Sequence, residues 1–224
     1  MQLLVTEVGG LIGVGKTTAI TTAAELLRQR WSAATQVVAV FEPVDEWVAS
    51  GRLAEYYSAP AEQALTFQRY VLETRVDAIV AATAALDPDR PAVLLLDRGL
   101  DDDQCFALAN HALGNMTDAE LEAYEAALAA ARDELPARTA TLRLWLDAPV
   151  AVCAERCAGR ARSAETAVST EYLRCLEQHR PEVDGVIDAR APAAAVAEAL
   201  ATHVAKKMET VSQDNHGATA VRQE

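Results

Sequence analysis

Gly9-Gly10-Leu11-Ile12-Gly13-Val14-Gly15-Lys16-Thr17-Thr18 stands directly after the apolar run Leu3-Leu4-Val5 and contains a complete G-x-x-x-x-G-K-T phosphate loop. Each position answers to one part of a nucleoside triphosphate. Gly10, Gly13 and Gly15 let backbone N–H groups curl round phosphate oxygens, and Val14 and Thr18 complete the cradle. Lys16 brings a cation to the β and γ phosphates, and the Thr17 hydroxyl suits Mg²⁺. Ala19, Ile20, Ala23, Leu26 and Leu27 then recur at helical spacing, so the loop opens a helix whose N-terminus favours negative charge. Strand, loop and helix in this order point to an α/β phosphate-loop fold that binds ATP or another nucleoside triphosphate with Mg²⁺.

Apolar segments at about 2–8, 36–41, 91–97, 141–147 and 183–188 read as five short buried strands separated by Ala-rich stretches of helical period. That alternation predicts a central five-stranded parallel sheet with helices on both faces. Pro43, Pro91, Pro149 and Pro192 fall near the expected boundaries, where a missing N–H costs least. Residues 1–208 are read as a single domain. From Glu209 the periodic apolar positions run out, and 209–224 is expected to be a flexible tail.

With 224 residues, 51% of them hydrophobic, the chain has material for one well-buried core. A net charge of −13 argues against nucleic acid and anionic membranes as partners, and it requires that cations gather where phosphates sit. No apolar stretch approaches bilayer length, and the N-terminal apolar run leads into the phosphate loop instead of a cleavage site. Cys105, Cys153, Cys157 and Cys175 show neither zinc spacing nor disulfide density. The expectation is a soluble, cytoplasmic protein with reduced thiols.

Chemistry beyond the loop begins at Phe41-Glu42-Pro43-Val44-Asp45-Glu46-Trp47, which sets a carboxylate at the C-terminal end of the second strand, where open α/β sheets bind ligands. Glu42 is the leading candidate for a base; the competing reading is a solvated loop acid. The third strand ends in Asp97-Arg98, the place for a Mg²⁺-linked acid and a phosphate-contacting cation. Gln68 and Arg75 lie two turns apart on one helix face, suited either to a planar ligand or to a surface pair. Arg156, Arg160 and Arg162 follow the fourth strand, where an arginine-bearing lid closes over transferring phosphates.

These residues together resemble the deoxynucleoside kinases, the family of deoxycytidine, deoxyguanosine and deoxyadenosine kinases. Glu42-Pro43-Val44 with Trp47 is similar to its E-P-V-x-x-W segment and Phe67-Gln68 to its F-Q pair. Asp97-Arg98-Gly99 with Asp103 resembles its D/E-R-S-x-x-x-D stretch, and the series from Arg156 to Glu165 its lid. The resemblance implies nucleoside salvage chemistry: transfer of the γ-phosphate of ATP to the 5′-hydroxyl of a deoxynucleoside by a homodimer. It makes Glu42 the general base, and Lys16, Arg98, Arg160 and Arg162 the groups that hold and neutralise phosphate. Arg156 and Arg160 would contact the donor nucleotide. Tyr57 and Glu165 would hold the sugar 3′-hydroxyl and Gln68 would read the base. Arg75 and Asp103 would pair at its far edge, and Trp47 and Phe67 would form aromatic walls. A charged pair at 75 and 103 implies purine deoxynucleosides or deoxycytidine over thymidine. The dimer would form through residues 101–114 and 170–180.

Three departures from the family pattern stand out. Gly9 replaces a usual Glu, Gly99 replaces a usual Ser, and the stretch before Phe106 is one residue short, which leaves the base-edge role open among Asp101, Asp102 and Asp103. The alternatives are a nucleoside monophosphate kinase of the thymidylate type and a non-catalytic nucleotide-binding or assembly protein on the same fold. Glu42 argues against the first, because a phosphate-bearing acceptor calls for an arginine there; retention of Lys16, Thr17, Glu42, Asp97 and Arg98 argues against the second.

Overall fold

A computed structural model of the chain describes residues 1–159 and 168–220. Its centre is β1 (Leu3–Gly10), all eight residues of which are buried. Both neighbours run parallel to it: β3 (Ala92–Asp97) on one side and β4 (Ala140–Asp147) on the other. With β2 (Gln36–Val40) beyond β3 and β5 (Gly185–Asp188) beyond β4, the sheet order is β2-β3-β1-β4-β5, all parallel. The parallel sheet expected from the five apolar runs is thus observed. The apolar run of β3 follows from burial on both faces, as does that of β1 apart from the buried Thr6 and Glu7.

Side chains alternate across the pleat. Leu4 and Val8 of β1, Val93 and Leu95 of β3, and Leu142 and Leu144 of β4 join the core beneath α1 (Lys16–Trp31) and α9 (Ala193–Ala220). Leu3 and Val5, with Leu94 and Leu96, face the opposite way toward Ile79 of α4 (Pro60–Ala84). A second cluster joins α4 to α2 (Val44–Ala49), α3 (Arg52–Ser58), α5 (Leu100–Ala112) and α6 (Asp118–Glu134), through Trp47, Tyr56, Phe67, Leu100, Ala107, Tyr124 and Leu128. Between β4 and β5 in the chain come α7 (Val150–Gly159) and α8 (Thr170–Gln178).

Local signals set several boundaries. Pro60 begins α4, where its missing N–H is tolerated. Thr117 caps α6, its hydroxyl accepting from Glu120 N while Glu120 Oε2 accepts from Thr117 N. The division expected after 208 is not marked by a helix end. Helix α9 runs on through Ala220, and Val211 is still buried. No helix among the described residues is long and apolar enough to cross a membrane.

Candidate active site

The phosphate loop is shaped by its glycines. Gly10, Gly13 and Gly15 have φ of 144°, 84° and 107°, in the region that side chains rarely adopt. Gly13 is also crowded: a Cβ there would lie 2.5 Å from Cys153 O and 2.7 Å from Cys157 Sγ, so α7 packs directly on the loop. The first turn of α1 has no side-chain cap and no acidic residue, which leaves the N–H groups of Lys16, Thr17 and Thr18 to an anion. Lys16 is buried, with Nζ 3.4 Å from Gly10 O and 3.3 Å from Leu11 O. Burial, and then the charge of Arg98, lower its pKa to about 8.

Thr17 Oγ1 donates to Asp97 Oδ2 at 3.0 Å, while Asp97 Oδ1 is buried without a hydrogen-bond partner among the described residues. Burial raises this carboxyl, against the pull of Lys16. A hydroxyl and a carboxylate side by side, one oxygen unsatisfied, fit a hard divalent cation such as Mg²⁺, which takes oxygen ligands and keeps several waters.

Arg98 follows at the end of β3 with φ of 74°, a strained value for a residue with a side chain. Its guanidinium reaches the loop. Nη1 donates to Gly10 O at 2.7 Å, Nε lies 3.3 Å from Glu42 Oε1, and the guanidinium carbon sits 4.7 Å from the Phe106 ring centre.

Beside the loop opens a cavity of about 210 Å³. Gly13, Gly15, Lys16, Thr17, Asp97 and Arg98 line its phosphate end, and Glu42, Trp47, Tyr57, Phe67, Gln68 and Asp103 line the rest. Glu42 is therefore no loop acid in open water; its side chain is 19% exposed. Burial works to raise its carboxyl, but Arg98, Arg75 and Lys16 outweigh it and hold Glu42 below the usual carboxylate range. Trp47 and Phe67 meet edge to face at 6.1 Å, and Tyr56 stacks on Phe67 at 4.8 Å. The amide of Gln68, 3% exposed, forms no hydrogen bond with the described residues and is available to a ligand.

Three consecutive acids at the start of α5 point three ways, as a helix advancing by about 100° per residue requires. Asp101 pairs with Arg132 at 2.6 Å and Arg143 at 2.9 Å. Asp102 accepts from Gly99 N at 3.1 Å. Asp103 alone lines the cavity, and its Oδ2 accepts from Arg75 Nε at 2.6 Å. Arg75 itself does not line the cavity. It stands behind the wall, 4% exposed, with Nη1 donating to Asp97 O and Nη2 to Glu42 Oε1, both at 2.8 Å.

The two glycine departures have neighbours in their space. A Cβ at Gly9 would lie 2.4 Å from Asp102 Oδ1, and one at Gly99 would lie 2.5 Å from Glu7 Oε2. Arg156 is tied down instead of reaching outward: Nη1 donates to Val14 O at 2.8 Å and Nη2 to Ala189 O at 3.1 Å, bracing α7 against the loop. Arg160, Arg162 and Glu165 lie outside the described residues. Phe41, Asp45, Leu53, Tyr56 and Tyr172 also line the cavity, and the sequence reading did not assign them to the site. Tyr56 and Tyr172 are buried and joined through their hydroxyls at 3.1 Å, with Tyr56 also 2.9 Å from Asn110 Oδ1. Aromatic residues on buried helical faces read as core, and only their polar tips hinted otherwise.

A phosphate-binding loop, a metal-suited acid and a carboxylate held by arginines thus share one cavity. Among solved structures, a deoxyadenosine kinase from M. mycoides, with products dCMP and a flexible dCDP bound, has a similar fold. The two match with a TM-score of 0.69 and 19% identity over 91% of this chain and 99% of that one. A search of curated proteins returned no match. The sequence model of the deoxynucleoside kinase family matches residues 6–195, so that the chain belongs to the deoxynucleoside kinases.

Proposed function

We propose that the protein transfers the γ-phosphate of ATP to the 5′-hydroxyl of a deoxynucleoside, with deoxyadenosine, deoxyguanosine or deoxycytidine favoured over thymidine. The observation that carries this reading is Glu42, which lines a cavity continuous with the phosphate loop and is flanked by Arg98 and Arg75. A neutral hydroxyl acceptor benefits from a carboxylate there, whereas a phosphate-bearing acceptor would be repelled. Deoxyadenosine kinase activity and bound dCMP in the similar structure support amino-bearing bases, and Asp103, an acceptor on the cavity wall, supports them too.

In the proposed reaction the nucleoside lies between the Trp47 and Phe67 walls, its base edge on Gln68 and Asp103 and its sugar near Tyr57. Glu42 accepts the proton of the 5′-hydroxyl as that oxygen attacks phosphorus in line with the departing ADP oxygen. Lys16, Arg98 and the N–H groups at the start of α1 hold the charge that develops. Thr17 and Asp97 would hold Mg²⁺, which when bound would supply positive charge against the phosphates. Arg160 and Arg162 would close over the phosphates and Glu165 would meet the sugar. Arg156 would support the donor side through the loop it braces. A homodimer through residues 101–114 and 170–180 belongs to the same proposal; light scattering that gave a monomer mass at micromolar concentration would remove it.

The test is ATP- and Mg²⁺-dependent formation of 5′-monophosphates from deoxyadenosine, deoxyguanosine, deoxycytidine and thymidine, with the four monophosphates as rival acceptors. Turnover of a nucleoside is the expected result, with thymidine slowest. Turnover of a monophosphate alone would make the protein a monophosphate kinase, and ATP binding without any turnover would make it a binding protein.

A further inference from the structure

The guanidinium of Arg75 spans two ends of the site. Its Nε meets Asp103, on the wall where a base edge would lie, at 2.6 Å, and its Nη2 meets Glu42, at the phosphate end, at 2.8 Å. Between them Nη1 is fixed on the backbone oxygen of Asp97 at 2.8 Å. All three nitrogens of a rigid planar group are therefore committed, and the group is 4% exposed behind the cavity wall. Such a fork translates displacement of one partner into displacement of the other, because it has no rotatable bond of its own.

The contacts on Glu42 are also unequal. Arg75 Nη2 and Arg98 Nε, at 2.8 and 3.3 Å, both fall on Oε1, which among the described residues leaves Oε2 for a ligand in the cavity that Glu42 lines. Arg98 has a second anchor on Gly10 O at 2.7 Å, so it ties Glu42 to the phosphate loop, whereas Arg75 ties it to Asp103.

We propose that Arg75 is a positioning residue for Glu42: it holds Oε1 so that Oε2 faces the acceptor hydroxyl, and it links that aim to the carboxylate that meets the base. The inference rests on the reading of the protein as a deoxynucleoside kinase. Under it, Arg75 acts from behind the cavity wall, and occupation of Asp103 by a base steadies the proton acceptor at the other end. Misplacement of a reacting group by about 1 Å costs on the order of a hundredfold in rate. The loss should fall on kcat, since binding surfaces are left in place.

Steady-state kinetics at saturating ATP and Mg²⁺, with deoxyadenosine and deoxycytidine as acceptors, test it in four proteins: wild type, Arg75→Met, Glu42→Gln and the double variant. Arg75→Met is expected to lower kcat by tenfold to about a hundredfold, with a smaller change in KM, where Glu42 is present, and to change kcat little in the Glu42→Gln background. An equal loss in both backgrounds, or a loss confined to KM, would overturn the proposal. Removing Arg75 strands two buried carboxylates, so Asp103→Asn provides a second variant that keeps the volume and loosens the fork from its other side. Its direct effect on the base appears in both backgrounds; an additional loss in kcat of about tenfold only with Glu42 intact supports the link, and identical losses refute it. Failure of wild type to phosphorylate any nucleoside is a separate result that removes the functional reading and this inference with it.

Discussion

The phosphate end and the acceptor end of the cavity are built by different means. At the phosphate end the frame is backbone, with glycines at positive φ, N–H groups at the start of α1 and the carbonyls of Gly10 and Leu11 that hold Lys16, to which a few side chains next to the loop are added. At the acceptor end the determinants are side chains brought from the segment after β2 and from α3, α4 and α5 into ion-pair and aromatic contacts. A backbone site tolerates little variation in sequence but little is asked of its surroundings. A side-chain site depends on partners far apart in the chain. Substitutions at the first end should therefore act through single positions, and those at the second through coupled losses.

The largest effect is expected at Lys16. Lys16→Met removes the buried cation that in the proposed reaction faces the β and γ phosphates, and kcat should fall on the order of a thousandfold. Calorimetry should still detect weak ATP binding through the loop N–H groups. A loss below tenfold would mean that the loop backbone alone carries the phosphate end. Next is Glu42→Gln, for which kcat should fall about a hundredfold while nucleoside binding survives, as for removal of a general base. If nucleoside affinity fell as far as kcat, Glu42 would serve chiefly as the acceptor-end anchor for Arg75 and Arg98.

This division also explains what was legible in the sequence. Gly10 to Thr18 form a contiguous motif whose meaning is local, and the apolar runs of β1 and β3 report burial on two faces without reference to anything distant. Glu42 and Asp97 were legible for a related reason: each stands at a strand's C-terminal end, a place the topology alone assigns to ligands. Asp101, Asp102 and Asp103 were indistinguishable as letters, since only the phase of α5 decides which carboxylate meets Arg75. Tyr56 and Tyr172 read as core because they are core on one side and site on the other. The role of Arg156 depended on where Val14 O and Ala189 O came to lie, which no spacing states.

A substitution within the loop sharpens the comparison from the structural side. Gly13 and Gly114 share a positive φ, at 84° and 75°, but a Cβ at Gly13 would meet Cys153 O at 2.5 Å while one at Gly114 meets nothing within 4 Å. Gly114→Ala thus adds backbone strain alone, about 1 kcal/mol. Gly13→Ala adds overpacking against α7, for a total of about 2–3 kcal/mol, and should weaken ATP binding as the loop shifts. Thermal melts of the two variants check this, with Gly13→Ala the lower. Equal melting temperatures would show that α7 yields freely and that the loop is less dependent on its backdrop than its geometry implies.

The smallest expected effect probes the acceptor end. Tyr56 has one hydroxyl proton and two partners, so it donates to Asn110 Oδ1 at 2.9 Å and accepts from Tyr172 at 3.1 Å, while its ring stays stacked on Phe67. Tyr56→Phe keeps the ring and deletes the bridge. Asn110 Oδ1 still accepts from Asn115 Nδ2 at 3.2 Å, so the loss is that of the Tyr56–Tyr172 hydrogen bond, at a cost of about 1 kcal/mol. In a chain of this size that lowers Tm by about 2–4 °C, readable by calorimetry. Since Tyr56 is not among the contacts of Glu42 or Arg75, kcat should stay within about twofold of wild type. A kcat loss out of proportion to the change in Tm would extend the coupled network from the ion pairs into the tyrosines. The acceptor end would then behave as one cooperative unit from α3 to α8, in contrast to the position-by-position logic of the phosphate loop.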